Sequence, residues 1–435
     1  MQYHDPFALD RSLAAYARLE RRFRIALAEG TAEDHVFEVL PPDFSAERLR
    51  ELRGEKSGPF EKAAARWMAR LLLEHALIPE RSAAAHAYLS DPRPLDKPEQ
   101  GPFTVAELFD KALEDGPRRA GWLDGLAAQG GEFGARRLAL FEALGVKAHE
   151  LGADLALGAE PARLVRDAGA RLIAATRDAV RELGVRSLTE WIALGLGTDA
   201  VGDWPVNLGA QRLGEWFREG RLLDGLSPEL GAMPRMLGSS SGLRALSRFG
   251  RVFHDAGASP QRPFALARDP YALRSRRFGA LFSLLGFHAS FAERKLGVGR
   301  GRFSEYRRAL GRVLLLAAHS EVVRAELAFA ASEGTTAYRR AFAEQLPELV
   351  GFEIPPRLAG VVFAAEQAPR QLAALFEAVA RDRSLTDRHD EDWFRNPRAL
   401  EELRGEIEGL PELEVDRASV EQGVRLLSES LLASG

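Results

Sequence analysis

The side chains that could hold a metal or act as nucleophiles are few and widely spaced in this chain. There is no Cys among the 435 residues, which excludes thiolate metal sites, disulfides and a Cys nucleophile. No two of its histidines are four residues apart, the spacing that places two imidazoles on one helix face for zinc. The H-E-x-x-H zinc motif, the G-x-S-x-G elbow and the phosphate-binding glycine loops are absent as well. The nine His residues lie at positions 4, 35, 75, 86, 149, 254, 288, 319 and 389.

Arginines have a more informative spacing. Arg248 and Arg251 share one face of a helix predicted at 241–256, and Arg276 and Arg277 lie on the next predicted helix, where they can face the first pair. Such a group of guanidinium ions could hold a phosphate, a carboxylate or a sulfate. Alternatively, the arginines pair with acidic side chains nearby, for example Asp255 or Asp269. The sequence leaves both possibilities open.

Three other segments have residue types that deserve a functional test but favour a structural role. The glycine cluster at 297–302 lies between two predicted helices and is typical of a helix C-cap and turn. The acidic run 387–393 is predicted to be a solvated loop before a helix, because neighbouring residues in sequence do not converge on one point. His319 has no second ligand near it in sequence, so we expect a hydrogen-bonded core histidine.

Apolar residues recur at helical spacing along nearly the whole chain, and period-two alternation is rare, so the fold class is predicted to be all-α. Capping boxes at Thr104, Ser187 and Ser419 predict helices at 104–115, 187–196 and 419–433. The stretch 91–102 is the best candidate for a linker, and a surface loop within one domain is the alternative. Further helices are predicted near 10–29, 44–53, 59–78, 81–90, 117–128, 132–145, 160–184, 205–219, 241–256, 270–297, 303–333, 335–349, 358–382 and 397–408.

Composition narrows the function classes. Lys and Arg total 59 and Asp and Glu total 63, a formal net charge of −4 with mixed signs along the chain, which argues against a nucleic-acid binder. Neither a signal peptide nor an apolar run long enough to span a membrane is evident, so we expect a cytoplasmic protein with no membrane partner. The domain prediction is an N-terminal helical region, 1–100, and a helical body, 101–435, or one continuous domain, 1–435.

Three segments add a resemblance to a known family. They are Leu144-Gly-Val-Lys-Ala-His-Glu-Leu-Gly-Ala-Asp154, Arg244-Ala-Leu-Ser-Arg-Phe-Gly-Arg-Val-Phe-His254 and Glu391-Asp-Trp-Phe-Arg-Asn-Pro-Arg-Ala-Leu400. In this order and spacing they resemble the thimet oligopeptidase and oligoendopeptidase family of helical zinc peptidases. The middle segment is similar to the family's active-site helix, which carries H-E-F-G-H and a later His.

The resemblance implies that every zinc ligand has been replaced. The two zinc histidines fall on Ser247 and Arg251, the catalytic Glu falls on Arg248, and the third ligand falls at or near Arg276, while the later His survives as His254. A guanidinium ion has no acceptor and stays protonated, so it repels a metal. We therefore expect no metal, no cofactor and no zinc-dependent peptidase activity.

The chain departs from the family's pattern in two further ways. Leu226 to Ser240 is too short for the family's substrate-holding sheet, and no Tyr follows Tyr338 to steady a reaction intermediate. The resemblance thus implies a large multi-helical, bilobed body with a central cleft and little or no β-sheet. It also implies a pseudoenzyme that binds a peptide or protein, including an active peptidase relative.

Two alternatives stay open. One is a metal-free enzyme or anion-binding protein that uses an Arg-lined cleft. The other is a helical scaffold unrelated to peptidases, and it predicts that the helices carrying Arg251 and Arg276 do not adjoin.

Overall fold

The fold is all-α, as predicted from the sequence. A computed structural model describes residues 6–31, 37, 39–90, 93–94, 102–153, 157, 159–196, 204–205, 208–219, 236–259, 261–409 and 415–433. Within these residues the only strand pairing is a two-residue antiparallel contact between β1 (Arg93–Pro94) and β2 (Pro102–Phe103). It joins the two ends of the predicted linker 91–102, of which residues 91–92 and 95–101 lie outside the described part.

The helices of the first half of the chain follow the apolar periodicity closely. They are α1 (Pro6–Glu29), α2 (Ala46–Leu52), α3 (Pro59–Ala76), α4 (Ile78–Leu89), α5 (Val105–Glu114), α6 (Arg119–Gln129), α7 (Gly131–Leu151), α8 (Ala159–Glu182), α9 (Leu188–Leu196) and α10 (Ala210–Glu219).

The second half contains the helices that build the candidate site. They are α11 (Ser239–Gly257), α12 (Phe264–Ala267), α13 (Leu273–Ser283), α14 (Ala289–Phe291), α15 (Phe303–Ser332), α16 (Thr335–Arg340), α17 (Leu346–Val350), α18 (Ala368–His389), α19 (Pro397–Glu408) and α20 (Arg417–Ala433). Two π-helical turns, Ala292–Leu296 and Ala341–Gln345, interrupt this order.

Helix starts confirm one capping box in full. The Thr104 hydroxyl accepts from the Glu107 amide, and the Glu107 carboxylate accepts from the Thr104 amide. At Ser187 only the hydroxyl half forms, because the Glu190 carboxylate accepts from the Arg186 amide instead. The box at Ser419 is wrong: the Asp416 carboxylate caps the helix, which therefore begins at Arg417.

Two long predicted helices are shorter than expected. The helix predicted at 270–297 is broken after α13, where His288 is extended and both of its ring nitrogens are held by the Asp382 carboxylate and the Glu391 carbonyl. The helix predicted at 358–382 begins only at Ala368. Positive φ angles at Gly360 and Phe363 exclude a helix before that point.

The buried apolar side chains of the described residues form three clusters, and the N-terminal one extends into the rest of the chain. It contains Ala265 of α12 alongside residues of α1 and α3. The Trp67 indole donates to the Arg268 carbonyl at 3.0 Å, and the Asp10 carboxylate accepts from the first amides of α12. The described residues of 1–100 thus pack on the body, and the division into a separate N-terminal region stays a prediction.

Membrane insertion of a helix finds no support in the described ranges. None of the helices there combines the length and the apolar character that a bilayer crossing needs.

Candidate anion-binding site

The site is built on α11, which matches the helix predicted at 241–256. Its apolar face buries Leu246, Phe249 and Phe253 in a cluster that also contains Phe278 and Phe282 of α13. The helix ends at Gly257. Of the predicted loop 226–240, residues 226–235 lie outside the described part, and the last two residues form the first turn of α11.

α11 and α13 pack at backbone contact because glycines lie on both sides. A Cβ atom at Gly250 would lie 2.2 Å from the Phe278 carbonyl oxygen, and one at Gly279 would lie 2.9 Å from the Ser247 carbonyl oxygen. Only glycine is compatible with such an approach. The contact fixes Ser247 against α13 and sets Arg251 beside that helix.

Arg251 and Arg276 come together from these two helices. Burial, followed by repulsion from Arg251 and then Arg370, lowers the pKa of Arg276 to about 10. Burial and repulsion from Arg248 also lower the pKa of Arg251. Both groups stay protonated at neutral pH, so the lowered pKa values report cations that are short of water and of negative charge.

The two guanidinium groups have few partners. Arg276 Nη1 donates to the Gln371 Oε1 atom on α18 at 3.2 Å, a neutral acceptor. The buried Nε atoms of Arg251 and Arg276 have no hydrogen-bond partner among the described residues. Neither side chain has a carboxylate within 4.0 Å in that part of the chain. The two cations therefore adjoin with a neutral amide oxygen, that of Gln371, as the acceptor on Arg276.

The carboxylates suggested as partners from sequence are engaged elsewhere. Asp255 Oδ1 lies 3.0 Å from His254 Nδ1 and 3.1 Å from Arg268 Nη1. Asp269 accepts from the backbone amides of Tyr271, at 2.8 Å, and Leu273, and so caps α13. At longer range Asp255 and Glu321 still attract Arg251, but they do not form ion pairs with it.

Arg248 lies at the edge of the same group. Burial and the Arg248 charge together lower the pKa of Arg244, one turn earlier on α11. The side chain of Arg248 itself has further interactions. The charge of Arg248 adds positive potential at Arg251.

The remaining sequence candidates divide between structure and surface. His254 is buried, contacts the Phe278 ring at 5.3 Å and bonds to Asp255, so it supports the helix contact. The expectation that Arg277 faces Arg248 and Arg251 is wrong. Arg277 instead forms an ion pair with the buried Glu377, because that carboxylate lies on the adjacent helix, α18.

The glycine cluster and His319 have structural roles, as predicted, whereas the acidic run 387–393 is only in part the solvated loop that was expected. His319 is buried with its Nε2 atom 2.7 Å from the Thr176 hydroxyl, and burial lowers its pKa to about 4. Gly297 ends a helical turn at φ 74°. In the acidic run, 387–389 belongs to the last turn of α18, and Trp393 is buried with its indole donating to Asp382.

Among the described residues, the side chains that could ligate a metal ion do not form a site. Across the described ranges, no group of three or more His, Asp or Glu side chains is arranged to hold a metal ion. The positions that the resemblance aligns with zinc ligands carry a hydroxyl and two guanidinium groups, Ser247, Arg251 and Arg276, which do not suit zinc.

Sequence reasoning missed three residues of the site. Arg370 and Gln371 come from the first turn of α18, and Tyr271 lies under Arg370, whose guanidinium carbon is 4.1 Å from the ring centroid. Their positions depend on how α18 packs on α13, so only their residue types were visible beforehand.

Comparisons do not assign the chain to a family. No model of a known protein family, no curated protein and no solved structure matches it. The helices that carry Arg251 and Arg276 do adjoin, contrary to what an unrelated scaffold led us to expect. Two adjacent helices are common in all-α proteins and do not identify a family by themselves.

Proposed function

We propose that the protein is a non-catalytic binding protein whose α11–α13 helix pair holds an acidic group of a peptide or protein partner. The observation that carries the proposal is the meeting of Arg251 and Arg276 with no carboxylate within 4.0 Å among the described residues. A carboxylate or phosphate between them would relieve the repulsion and satisfy the orphaned donors.

The kinship with oligoendopeptidases belongs to this proposal. It rests on the order of the three sequence segments and on Ser247, Arg251 and Arg276 standing where the family's pattern puts zinc ligands. Under this interpretation a site for a cation has become a site for an anion. The partner is then a peptide, or an active peptidase relative that presents an acidic side chain or a chain terminus.

A test compares peptides that differ only in charge. Binding of peptides ending in a free carboxylate or containing Asp is measured by calorimetry against their amide forms, with the full chain and with R251M/R276M. We expect the acidic forms to bind more tightly, by about tenfold, and the double variant to lose this preference. R339M, which removes an exposed cation on α16, is the matched control and should keep it.

Two results would overturn the proposal. One is equal affinity for acidic and amide peptides in the unaltered protein. The other is stoichiometric zinc in the purified protein together with peptidase activity that a chelator abolishes, which would mean that a metal site exists after all.

A further inference from the structure

A second positively charged site lies between the N-terminal helices and the body. It is a cavity of about 690 Å³, a size typical of small-molecule sites. One wall comes from Arg53, which follows α2, and from α3, and the other comes from α8, α13, α18, α20 and the loops beside them. Its lining side chains with charge are Arg53, Lys62, Arg66, Glu160, Asp269, Arg370 and Arg417.

The acidic members of the lining are already committed. Glu160 pairs with Arg417 at 3.0 Å, and Asp269 caps α13 through backbone amides. The Arg53 guanidinium donates to the Gly152 carbonyl at 2.8 Å, a neutral acceptor that leaves its charge in place. The positive charges of the cavity therefore exceed its negative charges.

Lys62 and Arg66 are the basic groups best placed to take a ligand. They lie four residues apart on α3, so both point from the same helix face to the cavity. Neither has an ion pair or a side-chain hydrogen bond with any described residue. Both are exposed, which means that a ligand can reach them from solvent.

Arg370 provides a fixed charge at the opposite wall. Its side chain is 4% exposed and lies over the Tyr271 ring, with its guanidinium carbon 4.1 Å from the ring centroid. Stacking of this kind restricts the planar group to one orientation. The exposed cations of α3 and the buried cation of α18 thus line one cavity.

Apolar groups line the same volume. Leu157, Leu164, Leu273 and Val415 contribute side chains beside the Tyr271 ring. A purely inorganic anion would leave this surface in contact with water, whereas an organic ligand would cover it. The cavity suits a molecule with acidic groups and a carbon skeleton.

We propose that this cavity binds a small organic molecule that carries at least two phosphate or carboxylate groups. Its acidic groups are held by Lys62 and Arg66 on one side and by Arg370 on the other, and its skeleton lies against the leucines. The cavity shares Arg370 and Tyr271 with the α11–α13 site, but Lys62 and Arg66 belong to the cavity alone, and the proposal does not depend on the function proposed for the α11–α13 site.

The experiment titrates the full chain with adenosine diphosphate, citrate, pyrophosphate and neutral adenosine by calorimetry at low salt. We expect at least one of the two organic anions to bind, more tightly than pyrophosphate, and adenosine not to bind. Preference for adenosine diphosphate indicates a phosphate ligand, and preference for citrate a polycarboxylate. In K62Q/R66Q the affinity should fall by about tenfold, and added salt should weaken the unaltered protein similarly.

Matched variants separate this site from the first. R307Q/R308Q removes two exposed charges from α15 and should leave the affinity unchanged, and R251M/R276M should change it by no more than about threefold. Absence of binding by every anion overturns the proposal, as does binding that K62Q/R66Q leaves intact. Loss of affinity in R251M/R276M as large as that in K62Q/R66Q would also overturn it, because the two sites would then be one.

Discussion

Arg81 and Arg276 are both poorly exposed arginines in helices, yet their surroundings are opposite. Arg81 Nε lies 2.8 Å from Glu74 and its Nη2 3.1 Å from Glu366. Burial opposes the charge of Arg81, but Glu366 and Glu74 outweigh it and raise its pKa. Arg276 has Gln371 as its acceptor, and burial with repulsion from Arg251 and Arg370 lowers its pKa.

The difference distinguishes a cation that carboxylates neutralise inside the fold from one that they do not. Arg81 joins α4 to the segment before α18, and its charge is fully neutralised inside the fold. Arg276 adds a charge that the described part of the fold does not neutralise. Folding alone does not reward such an arrangement, and this supports the binding function that we propose.

The largest effect is expected when the ion pair between Glu74 and Arg81 is broken. Glu74→Gln leaves a buried guanidinium with one carboxylate and should lower the free energy of unfolding by about 4 kcal/mol, measured by urea denaturation. The exposed pair Arg425–Glu429 is the control, and Glu429→Gln should cost less than about 0.5 kcal/mol. A loss in Glu74→Gln no larger than in that control would remove the basis of the comparison.

A second prediction extends the comparison to imidazoles, with His319 as the group that lacks a carboxylate. Its folded pKa of about 4 is below the ordinary value of 6.5, so the unfolded chain takes up the proton first. As far as His319 is concerned, the free energy of unfolding is therefore highest above pH 6.5 and falls as the pH drops towards 4. At 1.36 kcal/mol per pKa unit the loss is about 3 kcal/mol, and His319→Gln should not show it.

His288 should give the opposite pH response and serves as the control. Burial opposes its charge, but the hydrogen bond and the charge of Asp382, together with Glu391, outweigh this and raise its pKa. Its stabilisation is therefore complete below pH 6.5 and disappears as the pH rises through the raised pKa. Denaturation curves from pH 4 to pH 9 should differ from the unaltered protein with opposite signs at the acid end: towards pH 4 the unaltered protein loses stability relative to His319→Gln and gains stability relative to His288→Gln. A change of the same sign in both differences would contradict the assignment.

The smallest effect is expected at Arg276 itself. Arg276→Met keeps most of the packing volume and removes a repelled cation, so in a buffer without multivalent anions the free energy of unfolding should rise by about 1 kcal/mol. Adding sulfate should stabilise the unaltered protein more than the variant, because only the former holds the pair. Destabilisation by Arg276→Met under both conditions would mean that the charge is neutralised after all.

The helical class and most helix positions could be predicted from periodicity alone. The α11 boundaries were within two residues of those observed, because its apolar face repeats cleanly from Leu246 to Phe253. Errors arose where side chains from distant segments decide the backbone. Asp382 and Glu391 hold His288 extended, and Asp416 caps α20 three residues before the predicted cap, Ser419.

The candidate site was only half predictable. Arg251 and Arg276 could be named from spacing, but Arg277 was expected to face the same way, and it turns to Glu377 because α18 packs there. Arg370, Tyr271 and the cavity depend on tertiary packing that local sequence does not encode.

The walls of the cavity come from segments far apart in the chain, so the cavity can form only late in synthesis. Trp67 finds its carbonyl acceptor in Arg268, 201 residues further along the chain, and Val415 and Arg417 follow later still. The helices nearest the N-terminus therefore leave the ribosome with an apolar face that stays uncovered until α12 is translated, and α20 completes the cavity later. Until those segments are translated, that face is a natural target for chaperones, and the cavity does not yet exist.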